Sequence, residues 1–301
     1  MSTDRFSLSA DEYLAKHHVL TYLEDAIGQL LEHKEDNPKV NPAKFFNDYF
    51  TSIYHGNHTL FREYAFIKST PHNRASFIRV FWKCYRHIGK NGDLLNVKEY
   101  HSLLCLLCPN FPFDLIQKTA RIILMDDAMD CLMSFSDFLY AFQLQLYYEE
   151  FLEDCNKLYE KLTQAPRSPR ETVVVPSSST SPRQQKKQQP LPPPVDPIPP
   201  PEGIDSQQFL EALTQLSDVT KNSHPKLSCL REILQNTNRV SFYGFLMALA
   251  KNDSVNSGIG VLPAKASIMD DTEQDHAPMP TPRSKSAKPI LEGRSTRSNM
   301  R

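Results

Sequence analysis

The chain has 301 residues, 34 Lys plus Arg against 35 Asp plus Glu, and a formal charge of -1, which excludes a protein that binds nucleic acid through overall positive charge. Its 23 prolines are unevenly spread: 12 fall between Pro166 and Pro201 and five in the first 165 residues, while 26 of the 30 aromatic residues occur by Tyr159. A stretch without large apolar side chains cannot offset the entropy of ordering it, about 1–2 kcal/mol per residue for the backbone. We therefore expect an all-α protein with one large N-terminal core, a short folded patch further on, and disordered stretches around that patch. No apolar run approaches the ~18 residues of a membrane span and no leader pattern opens the chain, so a soluble intracellular protein is expected.

Ser9-Ala-Asp-Glu12 carries a capping-box signature, in which serine and glutamate each satisfy an amide left free at a helix start. Val19, Tyr22, Leu23, Ala26, Ile27, Leu30 and Leu31 follow at three- and four-residue spacing, and Glu35-Asp36-Asn37-Pro38 ends the helix. Asn41-Pro42 starts a second helix, with Phe45, Phe46, Tyr49, Phe50 and Ile53 on its face. Two short helices with this much apolar surface cannot bury it between themselves. We expect residues 1–58 to form a hairpin whose partner-binding residues are Val19, Tyr22, Leu23, Ile27, Leu30, Phe45, Phe46, Tyr49 and Phe50. The pair resembles the dimerisation/docking helices of the protein kinase A regulatory subunit and its relatives, through Tyr13-Leu14, Val19, Leu23, Leu30-Leu31, the Glu35 to Pro38 turn and Phe45-Phe46. That resemblance implies a four-helix bundle made by two hairpins, able to dock an amphipathic helix.

Residues 59–163 read as helical hairpins. Phe77, Phe81, Trp82 and Tyr85 form a stripe expected in a core. Met133-Ser-Phe-Ser-Asp-Phe-Leu-Tyr-Ala-Phe142 recurs as Val240-Ser-Phe-Tyr-Gly-Phe-Leu-Met-Ala-Leu249 and, more weakly, as Leu95 to Leu104. Each copy resembles the second half of an EF-hand. Calcium requires oxygen ligands at alternating loop positions, a glycine at position 6 and a bidentate carboxylate at position 12. In the loop Asp126 to Asp137, the candidate ligands Asp126, Asp130 and Asp137 stand at 1, 5 and 12, but Ala128 and Cys131 occupy 3 and 6. The loop around Gly92 has Lys98 at position 12 and the third has Gly244. These are expected to be degenerate hairpins without metal, and no metal or cofactor is assigned.

Catalytic motifs are missing. With nine glycines there is no GxxxxGK, GxGxxG or GxSxG, so the backbone lacks the usual means of approaching a phosphate or exposing a nucleophile. Cys105 and Cys108 form a CxxC inside an apolar helix pattern with no second pair to complete a zinc site, and His55-x-x-His58 lacks ligand partners. The six cysteines are expected to be reduced thiols.

Residues 164–204 form a Pro-rich linker expected to be disordered, with Lys187-Gln-Gln-Pro190-Leu-Pro-Pro193 as a polyproline-ligand pattern and Ser168-Pro169 and Ser181-Pro182 as proline-directed phosphorylation sites. Residues 205–252 hold three helix-length apolar patterns too small to stand alone, expected to pack on the earlier core. Residues 253–301 are expected to be a disordered tail, ending in six basic residues and one acid between Arg283 and Arg301.

Together, His18 to Tyr22, Pro71 to Arg74, Gly89 to Leu95, Met125 to Leu139 and Phe242 to Leu249 resemble the centriolar satellite-associated tubulin polyglutamylase complex regulators. The resemblance implies a non-catalytic regulator or scaffold in the cytoplasm and cytoskeleton, at centriolar satellites and the centrosome. The partners it implies are polyglutamylase complex subunits, including the tubulin-tyrosine-ligase-like catalytic subunit, and a centriolar satellite scaffold protein. Tubulin or microtubules are further candidates, whereas nucleic acid and membrane are not expected. The alternatives are a calcium-independent adaptor, a kinase-anchoring docking module and a direct microtubule-binding protein.

Overall fold

A computed structural model describes residues 8–125, 130–164, 203–220 and 222–264. Among the described residues there are thirteen helices and four strands of two residues each, so the protein is all-α apart from short pairing elements. The Pro-rich linker up to residue 202, the basic tail and Asp126 lie outside the described residues.

The N-terminal helix is broken into two. Helix α1 (Ala10–Lys16) starts on the Ser9/Glu12 capping box, and α2 (Val19–Asp36) follows after His18 adopts a left-handed φ of 51°. The continuous face read from the sequence therefore begins at Val19. Helix α3 (Pro42–His55) is capped by Asn41, whose side chain accepts from the amides of Ala43 and Lys44, and it ends at Gly56 in the left-handed region. A short α4 (Tyr64–Lys68) leads to α5 (Pro71–Asn91), capped by the Thr70 hydroxyl.

A helix, a two-residue strand and a second helix then recur four times. The first unit is α5, β1 (Leu94–Leu95) and α6 (Val97–Cys105); the second is α7 (Phe113–Leu124), β2 (Met133–Ser134) and α8 (Phe135–Tyr147). The third is α9 (Glu149–Gln164), β3 (Ile204–Asp205) and α10 (Ser206–Val219), and the fourth is α11 (Leu227–Gln235), β4 (Arg239–Val240) and α12 (Phe242–Lys251). Strands join the units in antiparallel pairs, Leu94 opposite Ser134 and Leu95 opposite Met133, then Ile204 opposite Val240 and Asp205 opposite Arg239. Each exit helix is capped by a side chain at or next to the strand's end: Asn96 receives the Glu99 amide, Ser134 that of Asp137, Asp205 those of Gln207 and Gln208, and Ser241 that of Gly244. Such caps are typically each worth about 1 kcal/mol and fix where each helix leaves its loop.

Two apolar cores sit side by side. In the first, Phe77 and Phe81 of α5 meet Tyr100, Phe135, Phe138 and Phe142, with the Tyr100 and Phe138 rings stacked at 3.8 Å. The Tyr100 hydroxyl is satisfied by the Met133 carbonyl at 3.0 Å. The Phe77/Phe81 stripe is thus core. In the second, Ile122, Leu144, Tyr148, Phe151 and Cys155 pack with Phe209, Leu230 and Phe245, so residues after 203 share a core with α7, α8 and α9.

The tail boundary expected at 253 lies too early. Helix α13 (Asp253–Ile259) buries Val255, and Val261 and Leu262 close the first core. Gln143 donates to the Asn256 side chain at 2.9 Å and the Tyr140 hydroxyl to the Pro263 carbonyl at 2.7 Å, satisfying polar groups that burial would otherwise penalise. The expected disorder therefore cannot begin before residue 265.

Candidate partner-binding site

The hairpin of α2 and α3 has two apolar faces. Tyr22, Ala26 and Leu30 of α2 and Tyr49 of α3 are buried, with Phe45, Phe46, Ile53 and Phe66 packed around them. Two polar nodes fasten this inner face to the rest of the protein. The Tyr22 hydroxyl lies 2.9 Å from the Thr70 hydroxyl and donates to Asn73 Oδ1 at 2.7 Å. Asn73 Oδ1 also accepts from His58 Nε2 at 2.8 Å, while its amide donates to the Phe66 carbonyl. Burial, with His72 and Arg62 nearby, holds the His58 imidazole below the usual histidine range despite its bond to Asn73.

The second node is Asp25. Its carboxylate accepts from Tyr49 at 2.6 Å, from Gln29 at 2.7 Å and from both terminal nitrogens of Arg62, whose guanidinium also lies over the Phe66 ring. Burial raises the Asp25 carboxyl, but Arg62 and Tyr49 outweigh it and bring it below the usual carboxylate range. The same pairing, after burial itself, pushes the Tyr49 hydroxyl well above the ordinary phenol.

The outer face has no cover among the described residues. On α2, Leu20, Leu23, Ile27 and Leu31 recur at spacings that place them along one line, with Ile27 48% and Leu31 58% exposed. On α3, Phe50 and Tyr54 stand exposed beside Phe46, whose ring stacks on Phe50 at 6.5 Å. Phe46, Asn47, Phe50, Thr51 and Tyr54 line a shallow depression. Scattered exposed apolar residues are ordinary on a surface; a line of four on α2, with an aromatic ridge on α3, calls for a partner.

The structure divides the nine residues expected to bind a partner. Tyr22, Leu30 and Tyr49 are buried within the protein and serve attachment; Val19, Phe45 and Phe46 are half-buried; Leu23, Ile27 and Phe50 are exposed. Leu20, Leu31 and Tyr54 belong to the outer face although they were not among the nine. Tyr54 continues the four-residue spacing of Phe46 and Phe50, which is the signal that locates it.

The candidate calcium ligands make no comparable site. Asp130 is exposed, and Asp137 takes part in helix capping, accepting from the Ser134 hydroxyl at 2.8 Å. Among the described residues no three His, Cys, Asp or Glu side chains converge as a metal site.

Comparison with known proteins places the hairpin and then the whole chain. The family model described as the CSTPP1 N-terminal domain matches residues 7–56, the segment that contains α1, α2 and α3. A zebrafish (Danio rerio) protein named centriolar satellite-associated tubulin polyglutamylase complex regulator 1 is 52% identical over 275 residues, covering 91% of this chain and 81% of the relative. The chain belongs to the centriolar satellite-associated tubulin polyglutamylase complex regulator family. Proteins of the same name from Bos taurus and Homo sapiens are each 50% identical over 275 residues, covering 91% of this chain and 82% and 81% of theirs. No solved structure matches the chain. The region shared with these family members is long enough to take in the hairpin and both cores.

Proposed function

We propose that this chain is a non-catalytic regulator and scaffold of a tubulin polyglutamylase complex at centriolar satellites, and that the outer face of the α2/α3 hairpin is its assembly surface. The observation that carries this reading is the uncovered line Leu20, Leu23, Ile27 and Leu31 on α2, together with exposed Phe50 and Tyr54 on α3, on a hairpin whose inner face is already committed to its own core. The names of the family members support the complex and its location. The absence of phosphate-cradling glycine motifs accords with a subunit that does not itself activate glutamate with a nucleotide. In this reading the chain promotes assembly and placement of the complex, touching its tubulin-tyrosine-ligase-like subunit or a neighbour, and a satellite scaffold protein, and it influences microtubule glutamylation through them.

The four strand-linked units are best understood as degenerate EF-hand-like hairpins in two pairs, since the two-residue antiparallel bridge between loops and the capped exit helix are features that such pairs share. Residues 1–58 would act as the docking hairpin, and residues 59–163 and 205–252 as the body on which it is mounted.

The test is affinity purification of the full chain carrying Ile27→Asp plus Phe50→Asp, two exposed positions. Polyglutamylase subunits should fall at least about tenfold in the purified material while far-UV circular dichroism and Tm stay unchanged, because removing an anchor from the centre of an interface typically costs 2 kcal/mol or more. Recovery of the full set of subunits with the folded variant would rule out this surface. Loss of a kinase-anchoring protein alone would favour the docking-module alternative.

A further inference from the structure

Helix α5 presents a second surface, of a different chemistry. Its 21 residues include Arg74, Arg79, Lys83, Arg86 and Lys90 with His72 and His87, and contain no Asp or Glu, in a chain whose overall charge is -1. Arg74 is turned inward and pairs with Glu150. The other four cations recur at spacings of four, three and four, so at 3.6 residues per turn they fall within a sector of about 60°, opposite Phe77 and Phe81. Lys83 is exposed, Arg79 and Arg86 are half-exposed, and among the described residues these three make no ion pair. A solvated helix face ordinarily mixes signs at such spacing, which gains stability from oppositely charged pairs; this one carries like charges that repel.

We propose that the stripe Arg79, Lys83 and Arg86 binds an acidic peptide in extended form. Along the helix axis these three cations are separated by about 6 Å and 4.5 Å, while an extended chain projects same-side side chains about 6.5–7 Å apart. Glutamates on one edge of such a chain reach successive cations with small adjustments of flexible side chains. The stripe suits peptide over nucleic acid because α5 offers no exposed Phe, Tyr or Trp ring for a base to stack on: Phe77 and Phe81 are buried, and Trp82 and Tyr85 pack on the first core. It suits peptide over an anionic membrane because α5 itself exposes no large apolar side chain to enter the lipid. This surface lies on α5 and does not depend on the α2/α3 reading.

The experiment measures fluorescence anisotropy of labelled decaglutamate with the purified full chain at low salt. Wild type should bind with a salt-dependent affinity, Lys83→Gln plus Arg86→Gln should bind at least about tenfold more weakly with a shallower salt dependence, and Arg294→Gln plus Arg297→Gln in the basic tail should bind as wild type does. Circular dichroism checks the fold, and Lys83→Ala alone, at an exposed position, should weaken binding about threefold if the double variant is unstable. The proposal is overturned if wild type fails to bind, if only the tail variant loses binding, or if single-stranded DNA or phosphatidylserine vesicles bind more tightly than decaglutamate.

Discussion

At the scale of single residues, attachment of the hairpin depends on a few polar atoms taken out of water. Tyr22 sends one hydroxyl into a cluster with Thr70 and Asn73, and Asn73 Oδ1 is shared with His58. Replacing Tyr22 by Phe keeps the ring and leaves those partners short of a bond, a loss of about 1–2 kcal/mol visible as a lower Tm. His58 adds a pH dependence. Its folded-state pKa is depressed, chiefly by burial, and a proton there would set a cation against His72, stacked at 5.3 Å, and against Arg62. A base with a depressed folded pKa contributes stability that is intact above its unfolded value near 6.5 and is lost as the pH falls below it. Wild-type Tm should therefore drop more steeply between pH 7.5 and 5.5 than that of His58→Gln. Parallel slopes in thermal melts of the two proteins would remove His58 as the cause.

At the scale of elements, the places where the sequence is easy to interpret are those where local chemistry and tertiary structure coincide. The Ser9/Glu12 box, the Asn41-Pro42 start and the Phe-rich segments after β2 and β4 each carry their own signal, and each is a helix start in the structure. The third unit carries no such signal, because 39 residues separate the end of α9 from the start of β3 and its two halves do not look related. Helix α13 escapes for another reason: Val255, Ile259, Val261 and Leu262 are sparse and without aromatics, and only the cavity they enter makes them core. The outer and inner faces of α2 merge in the sequence because both are apolar; only the position of α4 and α5 tells them apart.

The third unit also makes a sharp demand on one residue. Gly203 has a φ of +90°, and a Cβ there would lie 2.4 Å from the Val240 carbonyl oxygen, a backbone atom held in the β3/β4 pair. Gly203→Ala should cost about 1–3 kcal/mol, since strain and clash act together. Gly258, within α13, has nothing within 4 Å of its Cβ position, so Gly258→Ala should instead stabilise the protein by about 0.5–1 kcal/mol. Urea denaturation of the two variants reads the opposite signs directly.

At the scale of the whole molecule, the Pro-rich segment changes meaning. It leaves from α9 and returns at β3, two elements that touch; the Tyr159 hydroxyl of α9 also bonds the carbonyl of Val240, the β4 residue paired with Ile204, at 3.3 Å, and its ring meets Phe209 and Phe242. The segment is thus an insertion in the loop of one helical unit, where a linker to a separate patch packing on the earlier core is expected from the sequence. Closing a loop costs free energy that grows only with the logarithm of its length, so replacing residues 165–202 by about 12 Gly and Ser residues should raise Tm by no more than about 2–4 °C. Ending the chain at residue 164 acts differently. It strips Phe209, Leu230 and Phe245 from a core that also holds Ile122, Leu144 and Phe151, and it opens the first core by removing Val261 and Leu262. That fragment should melt at least about 10 °C lower or aggregate, and a chain ending at 251 should fall between it and one ending at 264. Equal melting of the fragments ending at 164 and 264, measured by differential scanning calorimetry, would mean that the two cores are energetically independent despite the residues they share along α7 and α8.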